Sequence, residues 1–253
     1  MKDPRQGNAK FYDLDETPLP DVPFYLSEIT AGSAVLELGC GTGRTLIPIA
    51  GRCRHITGID YSQDMVERCK AKLPPTLAGK CTVQVGDITL LDLHRKFDWI
   101  IAPYRVLQAL ETDQEVDGFF TTVKKHLAPG GHCILNVFKP YQPKEELVRD
   151  WPKPQELHRW EKILPDGSRI AHSEFYERVS REPLVLFPHL IYRQYADGEL
   201  VDEFKQSIKM RCYYPDEFLH RIESYGFTIV DTWGGYQGEK YGEGKELVVK
   251  FRN

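Results

Sequence analysis

Several things that would direct a protein to a membrane, a nucleic acid or an oxidising compartment are scarce in this chain. No stretch of its 253 residues approaches the roughly 20 consecutive apolar residues that span a bilayer. The opening residues, Met1-Lys2-Asp3-Pro4-Arg5-Gln6-Gly7-Asn8, are polar and lack the apolar core of a signal peptide. Basic charge is not in surplus: the formal net charge is −4, which removes the electrostatic case for nucleic acid or an anionic membrane as partner. Six cysteines (Cys40, Cys53, Cys69, Cys81, Cys133, Cys212) are dispersed, with no CxxC and no histidine at ligand spacing. Neither a disulfide framework nor a metal site is expected from them, and free buried thiols in a reducing cytoplasm are. No internal repeat or low-complexity segment is present.

What remains is the composition of a globular chain, 41% apolar and 28% charged, long enough for one large domain or one domain with a sizeable insertion. After an opening that carries Pro18, Pro20 and Pro23, strands and helices alternate. Ala34–Leu38 and His55–Asp60 read as strands around a helix at Thr45–Gly51. Gln63–Leu73 reads as a helix with Ser62 as N-cap. Cys81–Val85 and Phe97–Ala102 are strands, Val116–Leu127 a helix ended by Ala128-Pro129-Gly130-Gly131, and His132–Val137 a further strand. This alternation predicts an α/β fold with a parallel sheet between two helical layers.

The rhythm breaks near Lys139, where prolines crowd a loosely helical segment before extended stretches begin. From Glu199 to Tyr213 the alternation predicts one antiparallel strand, with Leu200, Phe204, Ile208, Met210 and Cys212 on its dry face. Glu203, Lys205, Lys209 and Arg211 fall on its wet face. Asp197-Gly198 before it signals a hairpin. The α/β pattern resumes beyond Pro215, with a helix at Asp216–Tyr225 and strands at Thr228–Thr232 and Glu246–Phe251. The organisation expected is residues 1–139 and 213–253 as one domain, with 140–212 as an inserted β-rich cap.

The most informative segment is Ala34-Val35-Leu36-Glu37-Leu38-Gly39-Cys40-Gly41-Thr42-Gly43-Arg44, an apolar strand leading through alternate glycines into a helix. Residues without Cβ let a ligand lie against the backbone at a helix start. A dinucleotide turn spaces its glycines G-x-G-x-x-G for close helix–strand packing; here Leu46 stands in the neighbourhood of that last glycine, which argues against a dinucleotide. Asp60, 21 positions after Gly39 at the end of the second strand, suits two ribose hydroxyls of either kind of cofactor.

Val35 to Gly43 resembles motif I of class I S-adenosylmethionine-dependent methyltransferases, and three further segments fall in that family's order. Gly58-Ile59-Asp60-Tyr61-Ser62-x-x-Met65 is similar to its acidic-loop motif, Val85-Gly86-Asp87-Ile88 to its third motif, and Leu127-Ala128-Pro129-Gly130-Gly131 to the turn before its fifth strand. The resemblance spans residues 34 to 138 and implies a doubly wound, mostly parallel seven-stranded sheet. It implies S-adenosyl-L-methionine as cofactor, leaving as S-adenosyl-L-homocysteine. Asp60 would take the ribose, Met65 would lie near the adenine, Asp87 and the Ile88 backbone would take the ring edge, and Tyr61 is a further cofactor-binding candidate. Glu37, Gly39, Gly41 and Gly43 would form the turn, and Pro103 and Tyr104 the wall at the methionine end. Phe11-Tyr12-Asp13 resembles a segment that closes over the cofactor, with Tyr12 as the contact. Each side chain also has a plainer reading: Asp87 as a turn residue, Glu37 as an inward carboxylate satisfied by backbone amides, Met65 as core.

No catalytic residue is named by this pattern, since the methyl is already activated on a sulfonium and positioning is the main task left to the protein. Ile101-Ala102-Pro103-Tyr104 lacks the leading Asn, Asp or Ser with which methyltransferases of nucleic-acid amino groups hold the amine. The acceptor expected is therefore nitrogen or oxygen of a small metabolite. Arg105, His189, Tyr192, Arg193 and Tyr213 are candidates for contacting it, each with an ordinary packing or solvated reading beside it. A β cap in this position resembles amino-sugar N-methyltransferases and glycine N-methyltransferase, in which such sheets cover substrate or join subunits, so a homodimer through the cap is a further expectation. A cofactor-binding protein without turnover, or a protein or tRNA methyltransferase, is the alternative.

Overall fold

The computed structural model describes residues 9–14 and 20–253; the polar stretch 1–8 and Pro18 lie outside the described residues. Strands β1 (Ala34–Leu38), β2 (His55–Asp60), β3 (Cys81–Val85), β4 (Phe97–Ala102) and β5 (Leu127–Phe138) are parallel, in spatial order β3-β2-β1-β4-β5. All five residues of β1 are buried, which is why it reads as a continuous run rather than an alternation. Two late strands finish a seven-stranded sheet: β12 (Glu246–Arg252) runs antiparallel beside β5, and β11 (Thr228–Trp233) pairs with β12 at the edge.

Helices α5 (Asp113–His126) and α7 (Pro215–Ser224) bury Phe119, Phe120, Val123, Phe218 and Ile222 against Leu36, Ile100 and Leu135 on one face. On the other, α2 (Asp21–Glu28), α3 (Leu46–Ala50) and α4 (Gln63–Lys72) bury Tyr25, Ile49 and Val66 against Val35, Ile56 and Ile101. At about 1.5–3 kcal/mol for each fully buried large apolar side chain, these two layers dominate the stability of the fold. Ser62 caps α4 as expected, accepting from the Met65 backbone N–H at 3.4 Å.

Two boundaries differ from expectation by more than one residue. Helix α5 starts at Asp113 because Thr112 and Glu115 form a reciprocal capping box, a signal the sequence carries as T-x-x-E. The Pro129-Gly130-Gly131 stretch lies inside β5, where the ladder with β4 shifts register between Phe97 and Trp99 and Gly130 takes φ +74°.

The extended stretches after α6 (Lys144–Asp150) form a second, wholly antiparallel sheet. Its strands are β6 (Lys153–Ile163), β7 (Arg169–Arg181), β8 (Leu184–Ala196), β9 (Glu199–Ser207) and β10 (Met210–Arg211). β8 is central: β7 pairs with one edge, and β9 and β10 share the other. Asp197-Gly198 makes the hairpin with φ +52° and +85°, the hand that matches strand twist. The single strand expected over Glu199–Tyr213 is broken. After Ser207 the chain leaves β8 and returns against Val185 and Leu186. Leu200 is therefore exposed, whereas Arg211 is buried with its guanidinium on Asp113 at the start of α5.

Candidate active site

The alternate glycines make a turn of positive φ at the C-terminal end of β1: Gly39 at +75°, Gly41 at +52° and Gly43 at +87°. They do different work. A Cβ at Gly39 would stand 2.4 Å from Val106 Cγ2, whereas one at Gly41 would meet nothing within 4 Å. Gly39 thus serves close packing, and Gly41 keeps the open surface of the turn bare. The third glycine of a dinucleotide turn has its counterpart across the interface: a Cβ at Gly58 on β2 would lie 2.3 Å from Leu46 Cδ1. Leu46 fits because the strand, not the helix, supplies the missing volume.

Asp60 ends β2 almost fully buried, and its carboxylate holds the loops: Oδ2 accepts from Gly41 N at 2.8 Å and Oδ1 from Ser62 N at 2.9 Å. A carboxylate has about four acceptor positions, so both oxygens retain capacity for ribose hydroxyls. Asp87 is half-buried after β3, with Oδ1 taken by Thr89 N and Oγ1 at 2.8 and 2.7 Å. Its plainer role as a turn residue is therefore real, and Ile88 beside it packs on the core. Tyr61 is exposed at the rim. Met65 has no exposed surface, so the side chain underlies the loop and offers no face to an adenine, contrary to expectation.

Glu37 departs from its expected satisfaction by backbone amides. It is buried, Oε2 lacks a hydrogen-bond partner, and burial pushes its carboxyl well above the usual carboxylate range. An orphaned buried oxygen next to a bare glycine turn is what a site for a positively charged, hydroxyl-bearing cofactor provides.

The structure adds residues that sequence reasoning missed. Asp13, just after α1 (Ala9–Tyr12), accepts from Thr42 Oγ1 at 2.6 Å in the glycine turn, and from Arg68 at 2.5 Å and Lys72 at 3.0 Å on α4. Burial opposes its ionisation, but these three donors outweigh it and hold its carboxyl below the ordinary range. Arg44 makes a bidentate pair with the fully buried Asp21, at 2.6 and 2.7 Å, and lies over the Tyr104 ring. Tyr12 meets Tyr104 edge to face at 6.5 Å. Tyr12 and Tyr104 were already candidates; of Asp13, Arg44 and Asp21, only Asp13 had a sequence signal, as neighbour of Tyr12.

Pro103 is buried at the end of β4, and Tyr104 and Arg105 follow in left-handed conformation, with φ +57° and +66°. Two such non-glycine residues in succession are strained by roughly 1–3 kcal/mol each. The strain is held by a buried polar group: Asn136 Oδ1 accepts from Arg105 N at 3.1 Å, Glu246 grips the Arg105 guanidinium, and Asn136 Nδ2 donates to Glu246 at 2.8 Å. Arg105 is thereby committed to β12, and its expected role on substrate is replaced by one of shaping the Tyr104 turn. A lone asparagine inside Cys133-Ile134-Leu135-Asn136-Val137 was the available clue.

The cap candidates divide by strand parity. Tyr192 lies on the face turned toward α1, stacked between Phe11 (5.0 Å) and His172 (4.5 Å). His189 and Arg193 are an odd number of residues away and lie on the opposite face. There His189 stacks on Phe175 and pairs with Glu177, and Arg193 binds Glu156 and Glu203. Tyr213 is buried in the α/β core against Phe218. These three are corrected: none faces the α1 side of the cap.

Residues 35–131 match the family model described as a methyltransferase domain. The chain is an S-adenosylmethionine-dependent methyltransferase. It is 24% identical over 204 residues to the dTDP-3-amino-3,4,6-trideoxy-alpha-D-glucopyranose N,N-dimethyltransferase of Streptomyces venezuelae, covering 79% of this chain and 81% of that one. It is also 24% identical to the dTDP-4-amino-2,3,4,6-tetradeoxy-D-glucose N,N-dimethyltransferase of Saccharopolyspora spinosa, over 90% of this chain and 82% of the other. The fold of this methyltransferase is shared with the crystal structure of an S-adenosylmethionine-dependent methyltransferase from Clostridium acetobutylicum. The TM-score is 0.76, with 17% identity and 99% of each chain covered. No helix among the described residues is long and apolar enough to cross a membrane.

Proposed function

We propose that the methyltransferase acts on an amine nitrogen of a small hydroxylated metabolite of the amino-sugar type. In this reading residues 140–212 form the cap over the acceptor, the enzyme works in the cytoplasm, and two chains pair through their caps. S-adenosyl-L-methionine, when bound, supplies a methyl already activated on sulfur. The work of the chain is to orient: Asp60 and Asp87 would take the ribose and adenine, and Gly39, Gly41 and Gly43 would leave main chain bare beside it. Glu37, Tyr12 and Tyr104 would meet its methionine end.

The observation that carries the reading is the double attachment of α1. Asp13 is tied to the glycine turn and α4, Tyr12 meets Tyr104, and Phe11 stacks on the cap. Such an attachment would close the cap over the sheet edge, excluding water and fixing a nucleophile in line, which is the main contribution such a reaction needs. An amine also suits a site without a nucleophile-activating pair, because its neutral form needs no base before attack.

The test is incubation with S-adenosyl-L-methionine and each of the two amino sugars named for the relatives above, reading S-adenosyl-L-homocysteine release and the mass of the sugar. Mono- or dimethylated sugar is expected. Tight cofactor binding with no release from either amino sugar overturns the reading. Asp60→Ala is expected to weaken cofactor binding by about 2–3 kcal/mol in calorimetry, because two loop amides and the ribose lose their shared acceptor.

A further inference from the structure

The cap carries a cluster that neither cofactor binding nor the α1 contact explains. On β7, Glu174 and Tyr176 lie two and four residues beyond His172, and so on the same face as the Phe11–Tyr192–His172 stack. At its other end this face is bounded by Trp151, which follows α6 and stacks on Tyr176 at 4.5 Å and 26°. Arg159, at the β6 register shift between His158 and Trp160, reaches into the same group. The cluster thus lies between the α1 contact and the apolar packing of Trp151 with Leu184 and Leu186, on the face that covers the sheet edge.

The pairing inside the cluster is lopsided. Arg159 Nε at 2.9 Å and Tyr176 OH at 2.7 Å both donate to one oxygen of Glu174, Oε2. Arg159 Nη2 also donates to the Tyr176 hydroxyl. Burial and the adjoining carboxylate push the Tyr176 hydroxyl up to about 12, so it stays a donor. Glu174 Oε1 and Arg159 Nη1 have no hydrogen-bond partner among the described residues. Trp151 Nε1 is buried and likewise unpartnered. A buried indole N–H without an acceptor is rare in a native structure, and beside it the second oxygen of Glu174 and the second Nη of Arg159 are left available to a ligand. One fixed acceptor and two fixed donors beside an aromatic pair match the vicinal hydroxyls and the C–H face of a saturated, hydroxylated ring.

We propose that Arg159, Glu174, Tyr176 and Trp151 form the subsite that receives the hydroxylated ring of the acceptor. Glu174 Oε1 accepts from one hydroxyl, and Arg159 Nη1 and Trp151 Nε1 donate to its neighbours. The proposal rests on the small-metabolite reading above but concerns binding, not methyl transfer, so a ring without an amine tests it separately.

The experiment follows the four tryptophan indole N–H signals of the ¹⁵N-labelled full chain, with Trp151→Phe assigning one, during titration with dTDP-D-glucose. The expected result is a saturable shift of the Trp151 signal that dTDP alone does not cause. Glu174→Gln, which retains an oxygen for Arg159 and Tyr176, is expected to weaken the sugar nucleotide about tenfold while cofactor affinity stays within twofold. Trp151→Phe, which keeps the ring stack, should weaken it severalfold by calorimetry. No Trp151 shift at millimolar ligand, or wild-type affinity in both variants, overturns the subsite. A shift without methylation of any amino sugar leaves the subsite standing and removes the amino-sugar reading; methylation of an amino sugar that keeps its neighbouring ring hydroxyls, with unchanged acceptor KM in both variants, does the reverse.

Discussion

At the glycine turn the surface offered to a ligand is main chain. The apolar side chains around it are packed away, with Val106 against Gly39, Cys69 against Gly43 and Leu46 against Gly58, while Asp60 braces two backbone amides. In the cap the surface offered is entirely side chain, presented by every second residue of long strands, while the other face carries ion pairs such as Arg193 with Glu156 and Glu203. The turn has little tolerance in volume because its shape is its function. The cap tolerates exchange on one face and is specific on the other, because its chemistry depends on which residues the ladder places side by side.

Gly39→Val should break the comparison hardest on the turn side. Its Cβ would already lie inside the contact radius of Val106, at a φ that β-branched residues avoid, so loss of the cooperative thermal transition is expected. Gly41→Ala meets open space and should keep most of its melting temperature while losing at least tenfold in cofactor affinity. Equal effects of the two substitutions, measured by calorimetry, would show that packing and ligand surface are not divided as described.

Glu246→Gln removes the charge that holds Arg105. A loss of about 2 kcal/mol in urea unfolding is expected, less than for a fully enclosed pair because Arg105 is one-third exposed. With the Tyr104 turn released, activity should fall more than stability. An unchanged turnover would separate that strained turn from the site.

Glu37→Gln sharpens the comparison through pH. Burial raises the Glu37 carboxyl in the folded chain, while the unfolded chain releases its proton at about pH 4. The stability this gives is full below that pH and declines as pH rises toward the folded value. The substitution should therefore raise the melting temperature increasingly above about pH 4, while weakening the cofactor. A parallel shift at all pH values would contradict a neutral Glu37.

On the outer cap face the smallest effect is expected. Arg193 holds the Glu156 carboxyl down to about 2, a contribution present above about pH 4 and lost as pH falls toward 2. Both partners are partly exposed, so Arg193→Gln should change stability at pH 7 by less than about 1 kcal/mol. It should flatten the acid limb of the melting curve and leave turnover intact. A large loss of activity would place that face in the site after all.

How much was legible follows the same division. Strand, turn and helix at 34–50, the Ser62 cap and the Asp60 position depend on residues within a few positions of each other. Their local geometry is written in φ preferences, apolar runs and caps. Even the α5 capping box was there in Thr112-x-x-Glu115. Arg105, His189, Arg193 and Tyr213 looked alike as exposed-type side chains near an expected cap. Placing His189 and Arg193 required the strand pairing of β8, since one residue of slip exchanges the faces, whereas Arg105 was decided by Asn136 and Glu246 and Tyr213 by its packing on Phe218. Arg211 looked like a wet-face cation until the break at Ser207 placed it against α5.

By itself, then, the amino-acid sequence determined the α/β layers, the glycine turn and the kind of cofactor it suits, because backbone conformation is a short-range property. Only the tertiary structure decided that Leu46 packs into Gly58, that Asp13 ties α1 to Thr42, and that Glu246 disarms Arg105. It alone decided that Glu174 keeps one oxygen open beside Trp151. These pairs are 12, 29, 141 and 23 positions apart in the chain, and no local preference connects residues that meet only when sheets and loops close.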